Sequence, residues 1–253
     1  MSAEKRNVLI RVENLCKFYN GEEIKALNNV SAEIKEGEVV VIIGPSGSGK
    51  STLIQHINGL LKPTSGSIYI DNKDLGSKDV TLSDIRKKVG LVFQYPEYQL
   101  FEETAYKDIA YGPKNMGLSG DELKARVTDI CKIVGVKPEY FEKSPFDLSG
   151  GEKRRVAIAG VMAMEPEILI LDDSSSALDY ATDAALRKAL RTLPENTTVF
   201  IVSQRAASLM HADQIIVLDD GQITGIGTHA ELLNTCDTYK EIYNSQFKES
   251  EAK

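Results

Sequence analysis

The nine residues Gly44 to Thr52 read GPSGSGKST: a glycine, four residues, a second glycine, a lysine, then a hydroxyl residue. Those types in that order suit the binding of phosphates. Glycines let backbone N–H groups turn inward around an anion, and a helix starting directly behind them adds the positive end of its dipole. Lys50 is placed to reach β- and γ-phosphate oxygens, and the Ser51 hydroxyl to ligate Mg2+. The alternative is a Gly/Ser-rich loop without a ligand. Against it, Gly44, Pro45, Ser46, Gly47, Ser48, Gly49, Lys50, Ser51 and Thr52 stand between an apolar run, VVVII (39–43), and the helix-like LIQHINGLL.

A loop of this kind needs a strand before it and a helix after it, and the chain supplies both repeatedly. VVVII is followed by SIYI (67–70), LVF (91–93), ILIL (168–171), TVFIV (198–202) and QIIVL (214–218), often with helical patterns between. Fully apolar strands alternating with helices predict a mainly parallel sheet covered on both faces, an α/β fold. The opening stretch, about 8–38, alternates apolar and polar residues around the turn YNGEE, which predicts an antiparallel β ribbon. Between Phe101 and Pro145 the spacing becomes helical with charged faces, which places a helical insertion there. The expected layout is one domain: ribbon about 8–38, core about 39–95 and 160–235, helical subdomain about 96–159, and a terminal helix about 237–248.

Bulk properties narrow the function classes. With 30 basic against 37 acidic residues, the net charge of −7 disfavours a diffuse basic surface that grips nucleic acid. Cys16, Cys131 and Cys236 are widely spaced and odd in number, so they read as free thiols in a reducing compartment, and the expected location is the cytosol. The start MSAEKRNVLI lacks the basic-then-apolar order of a signal peptide, and the apolar runs are too short to cross a bilayer. A membrane role would therefore run through partners.

Many fold families share such a loop, and the downstream motifs separate them. LSGGEKRR (148–155) resembles the signature motif of ATP-binding cassette ATPases, although Ser149 followed by Glu152 is also how an ordinary helix begins. ILILD (168–172) resembles the family's Walker B strand and SALD (176–179) its D-loop. The resemblance runs from about Val8 to Gln246 and implies an ATPase that uses ATP and Mg2+. It makes Ser51, Gln94 and Asp172 the Mg2+ ligands, with Asp172 acting through water. It makes Gln94 the glutamine that touches the attacking water, Tyr19 the ring that stacks on adenine, and Asp179 the D-loop aspartate. In the family two cassettes pair head to tail, so Ser149, Gly150 and Gly151 would serve the ATP of a second cassette, in a homo- or heterodimer. The second partner implied is a transmembrane transporter subunit on a separate chain. The chain would then be peripheral to the cytoplasmic face of the cell membrane.

Within that family the two parts of the chain resemble different branches. The segment 93–119 is similar to ATPase subunits of energy-coupling-factor importers, which take up vitamins and metal ions. From about Met164 onward, EPEILILDDSSSALDYATDAALRKALR and IVSQRAASLMHADQIIVLDDGQITGIGTHAELL are similar to heterodimeric multidrug-type exporters. The seam falls between Gly151 and Glu167. A chimera, recombinant or designed, is one explanation and natural divergence is the other.

Most active cassettes place Glu directly after the Walker B Asp and His in the switch loop. Here those positions carry Asp173 and Gln204. A carboxylate one methylene shorter is withdrawn by roughly 1 Å, and misplacement on that scale costs on the order of 10²-fold in rate. Gln204 can donate an amide hydrogen bond but cannot carry positive charge toward the γ-phosphate. The expectation is tight MgATP binding with slow hydrolysis, with Asp173, Gln204, Gln94 and Lys50 as the catalytic set. His56, His211 and His229 have no second ligand at metal spacing and read as structural, and Lys153, Arg154 and Arg155 read as a solvated helix face. A transport ATPase subunit of energy-coupling-factor type is the leading expectation. A non-transport cassette in translation or repair and an inactive folded scaffold are the competing ones.

Overall fold

The computed structural model describes residues 6–20, 23–172, 186, 189–190, 192–203, 209–210 and 212–251. The chain divides into two compact units, 1–89 with 196–253, and 90–195.

The first unit opens with two long strands, β1 (Val8–Tyr19) and β2 (Ile24–Lys35), paired antiparallel from Val8 opposite Lys35 to Tyr19 opposite Ile24. Along the second half of β2, apolar residues are buried at alternate positions, so one face of the ribbon packs inward. The strand β4 (Ser65–Ile70) lies antiparallel beside β1, and the short β5 (Lys73–Asp74) closes this four-stranded sheet in the order β2-β1-β4-β5. The run SIYI was expected among the parallel strands; instead it extends the antiparallel ribbon. Its pattern explains why: Ile68 and Ile70 are buried while Ser67 and Tyr69 are only half-buried, the one-sided signature of a sheet with one covered face.

The parallel part of this unit is built on β3 (Val39–Ile43), flanked by β8 (Thr198–Val202) and β9 (Gln214–Asp219), both parallel to it. The strand β10 (Gln222–Gly227) turns back antiparallel against β9, giving the order β10-β9-β3-β8. Four of the five β3 residues are buried, as a strand covered on both faces requires. Val41, Ile43, Ile215 and Val217 pack with Leu232 of α6 (His229–Thr235), Tyr239 of α7 (Asp237–Glu251) and Cys236 between these last two helices. Helices α1 (Lys50–Ile57) and α2 (Leu82–Lys88) complete the unit.

The second unit holds β6 (Val89–Val92), whose first residue belongs to the first unit, and β7 (Ile168–Asp172) as its neighbour. Around them are α3 (Ala105–Asn115), α4 (Gly120–Val134) and α5 (Gly150–Met162), with α3 and α4 both packed on α5. The helical insertion read between Phe101 and Pro145 corresponds to α3 and α4. Gly112 of α3 lies close against the Met164 side chain just beyond α5, where a Cβ would meet it.

Candidate functional site

The loop Gly44–Gly49 runs from the end of β3 to the start of α1. Gly44 and Gly49 both have positive φ, and a Cβ at either would overlap a backbone carbonyl, that of Leu218 at Gly44 and that of Ala26 at Gly49. Glycine is therefore required by the chain's own packing. The N–H of Gly221 bonds the Ser48 carbonyl at 3.2 Å, and the N–H of Asn28 bonds the Gly221 carbonyl at 2.8 Å. The loop is thus wedged between β2 and the β9–β10 turn, and its backbone shape is fixed by the first unit alone.

Lys50 folds back over this loop, its ammonium donating to the carbonyls of Gly44 (2.9 Å) and Pro45 (2.7 Å) and to Ser48 Oγ (3.4 Å). Helix α1 starts at N-cap Gly49 with no side-chain cap and no acidic residue in its first turn. An anion at this end would meet helix-terminal N–H groups, the dipole and an ammonium together. The arrangement fits a polyphosphate. Pro45, Ser46, Gly47 and Ser51 are exposed, Thr52 is half-buried, and Ser48 is buried beneath.

Tyr19, the last residue of β1, belongs to the same unit and is 39% exposed. Three hydrogen bonds tie its neighbours to the segment that follows α1: Thr64 N–H to the Cys16 carbonyl (2.8 Å), Phe18 N–H to Thr64 Oγ1 (3.0 Å) and Lys17 Nζ to the Lys62 carbonyl (2.9 Å). Its ring is therefore held in a fixed relation to the phosphate loop.

Asp172 is the buried last residue of β7, and Gln94 is exposed two residues beyond β6, the neighbouring strand of the second unit. Ser149, Gly150 and Gly151 start α5 in that unit. Ser149 Oγ accepts the Glu152 N–H, and Glu152 Oε2 accepts the Ser149 N–H at 2.8 Å, so the capping box anticipated at this motif is present. The Tyr140 hydroxyl adds a further bond, and with the Ser149 N–H it pulls the Glu152 pKa from 4.5 down to about 2. Among the described residues, apart from its chain neighbours and the backbone of its own helix turn, no heavy atom comes within 4 Å of a Cβ built on Gly150. Asp173, Asp179 and Gln204 lie outside the described residues.

The reading of Lys153–Arg155 as a solvated face is corrected at Arg154. Its guanidinium grips Glu97 through two 3.0 Å bonds, Nε to Oε2 and Nη2 to Oε1, with both side chains mostly buried. Burial alone would raise the Glu97 pKa, but the Arg154 pair holds it below the ordinary value. No spacing rule could have joined positions 97 and 154. A shallow apolar groove of about 160 Å³ lies in the same unit, lined by Leu100, Phe101, Tyr111, Val156, Val161 and Met164. Phe101 and Tyr111 meet edge to face at its rim, 4.9 Å between centroids, and both are exposed. No helix among the described residues is long and apolar enough to cross a membrane.

A strand, a glycine-rich loop and an uncapped helix, with a signature helix in a second unit, define a P-loop nucleotide-binding protein of the ATP-binding cassette type. The chain belongs to the ABC transporter family, whose model matches residues 27–176. It is 50% identical over 240 residues to the "Energy-coupling factor transporter ATP-binding protein EcfA2" of Clostridium perfringens (strain 13 / Type A), covering 92% of this chain and 84% of that protein. Among solved structures it resembles CbiO1 of Clostridium perfringens, part of the ABC transporter complex CbiONQ, with a TM-score of 0.76 and 33% identity over 96% of this chain and 94% of that one. It also resembles a dimeric ATP-binding cassette solved in a post-hydrolysis state with ADP and Pi, with a TM-score of 0.79 and 36% identity over 87% of this chain and 98% of that one.

Proposed function

We propose that this chain is the ATP-binding and ATP-hydrolysing subunit of an energy-coupling-factor type importer. The observation that carries the reading is the start of α1, a helix with no side-chain cap behind a loop in which Gly44 and Gly49 are fixed by their own neighbours. That end is finished by an anion, and the phosphates of ATP supply one. Lys50 then exchanges loop carbonyls for phosphate oxygens, and Tyr19 stacks on adenine. By resemblance, Ser51, Asp172 and Gln94 hold Mg2+, which neutralises charge on the transferring phosphate.

A second cassette is the proposed partner at the signature. Gly150 supports this, because nothing in its own described surroundings calls for a glycine, whereas close approach by a nucleotide held by another subunit does. The aromatic-rimmed groove beside α5 is the proposed dock for a membrane subunit on a separate chain, at the cytoplasmic face of the membrane.

Hydrolysis at this chain's own site is proposed to be slow, since Asp173 and Gln204 stand where Glu and His are usual. As for a mosaic origin, one relative aligned over 240 residues crosses the seam at 151–167, which speaks for a single lineage. Separate alignments of 8–151 and 164–246 check this, and different best relatives for the two parts would restore the chimera.

The test of function is MgATP titration and phosphate release for the wild type, Lys50→Ala and the pair Asp173→Glu with Gln204→His. Lys50→Ala is expected to abolish both signals, and the double variant to raise turnover on the order of 10²-fold. A wild type already fast, with no gain in the pair, rules out slow hydrolysis; ATP binding that survives Lys50→Ala rules out the phosphate site.

A further inference from the structure

We infer that Lys17 is a positioning residue for the nucleobase, acting through Tyr19; this rests on the ATP reading above. Lys17 and Tyr19 lie two residues apart at the end of β1, across a shift in its register with β2 between Lys17 and Phe18. The Lys17 ammonium lies over the Tyr19 ring, 5.1 Å from its centroid, within range of a cation–π attraction. The same ammonium donates to the Lys62 carbonyl at 2.9 Å, so the segment behind the phosphate-loop helix fixes where the cation sits. Lysine side chains on a strand surface ordinarily sample many rotamers. This one is held at both ends of its contact, by a carbonyl and by a ring face.

The consequence for a ligand is geometric. A tyrosine at a strand end can present either ring face to a base. With the ammonium held over one face, the other is left as the stacking surface. Because Cys16 and Phe18 are tied to Thr64, the ring is also kept at a fixed offset from Gly49, against which Ala26 of β2 packs. Base and triphosphate are thereby registered within one rigid unit, and Lys17 spares the nucleotide the ordering of Tyr19 on binding. Lys17 touches the ring and not the phosphate loop, so its effect belongs to the base and not to the phosphates.

The test compares two probes, ATP and inorganic tripolyphosphate, each with Mg2+, by calorimetric titration of the full chain. Lys17→Gln keeps a donor for the Lys62 carbonyl and removes the charge; Lys17→Met removes both; Lys17→Arg keeps both. ATP affinity is expected to fall about two- to fivefold in Lys17→Gln. Tripolyphosphate affinity should be unchanged, and Lys17→Arg should behave as wild type. In a Tyr19→Ala background, Lys17→Gln should have no further effect on ATP. An equal loss for both probes would make Lys17 a general electrostatic attractor and overturn the inference, as would a full effect without the tyrosine. If Lys17→Met alone loses folding, Lys17→Gln and the Tyr19→Ala cycle still decide. A wild type that binds neither probe would instead overturn the nucleotide reading itself.

Discussion

Helices α1 and α5 both have glycine at their N-termini, Gly49 as the cap of one and Gly150 as the first residue of the other, and the two ends are finished in opposite ways. At α1 the chain provides no side-chain cap and no acidic residue in the first turn, while Gly44 and Gly49 are demanded by the carbonyls of Leu218 and Ala26. At α5 the cap is complete: Ser149 and Glu152 satisfy each other's N–H groups, and Tyr140 braces the carboxylate. Yet Gly150, in the first turn of α5, answers to no described neighbour. The first terminus is shaped from inside and has no side-chain cap. The second is complete in itself and presents a bare glycine outward. A phosphate site of the chain's own and a surface offered to another subunit would differ in this way.

The largest break in that comparison is Gly49→Ala. The new methyl must occupy the space of the Ala26 carbonyl at φ +99°, so the loop has to leave its shape. On the phosphate-site reading, the displaced loop is expected to lower MgATP affinity on the order of 100-fold or more. Titration calorimetry measures it, and affinity within a few-fold of wild type would mean that the loop is not fixed from inside.

Gly150→Ala sharpens the other half. An alanine meets nothing there and suits a helix better, so thermal stability should hold or rise, by up to about 1 kcal/mol. MgATP affinity of the isolated chain should also hold, while, if a second subunit's nucleotide approaches here as proposed, hydrolysis by the assembled transporter should fall on the order of tenfold or more. If Gly150→Ala destabilises the chain as Gly49→Ala does, the contrast between the two termini is gone.

How far these features were legible follows from their span along the chain. The phosphate loop and the capping box are contiguous, so both motifs are legible in the residue order, although the contacts of Gly44 and Gly49 with Leu218 and Ala26 are not. The strand at 67–70 was assigned to the parallel sheet because a four-residue run is too short to separate one-sided from two-sided burial. Arg154 reads as solvated in sequence because its partner Glu97 lies 57 residues away. The contacts of Lys17 are illegible in sequence for a related reason. Its spacing to Tyr19 is local, but the carbonyl that immobilises it belongs to Lys62, brought near only by the return of the chain into β4.

Removing the cap itself is a gentler break. Ser149→Ala leaves the Glu152 N–H without its acceptor and should cost about 1 kcal/mol in denaturant unfolding at pH 7, the usual loss for a serine cap. No change would mean the box is decorative.

The smallest effect is expected from Tyr140→Phe, and its signature is in the pH dependence. The Glu152 carboxyl is held near 2 in the folded chain, with the Tyr140 hydroxyl as the first cause and the Ser149 N–H next, against an ordinary value of 4.5. A carboxyl whose folded pKa is lowered stabilises the fold fully above the unfolded value, and that stabilisation is lost as pH falls from about 4.5 toward 2. Taking away the hydroxyl brings the folded pKa back toward 4.5. Tyr140→Phe should therefore be less stable than wild type at pH 7, lose less on acidification, and converge with wild type near the bottom of that window. Urea unfolding of both proteins at pH 7 and at the acid end of the range measures this. A deficit of equal size at both pH values would assign Tyr140 to packing alone and leave the α5 cap standing on Ser149 and Glu152 without a brace.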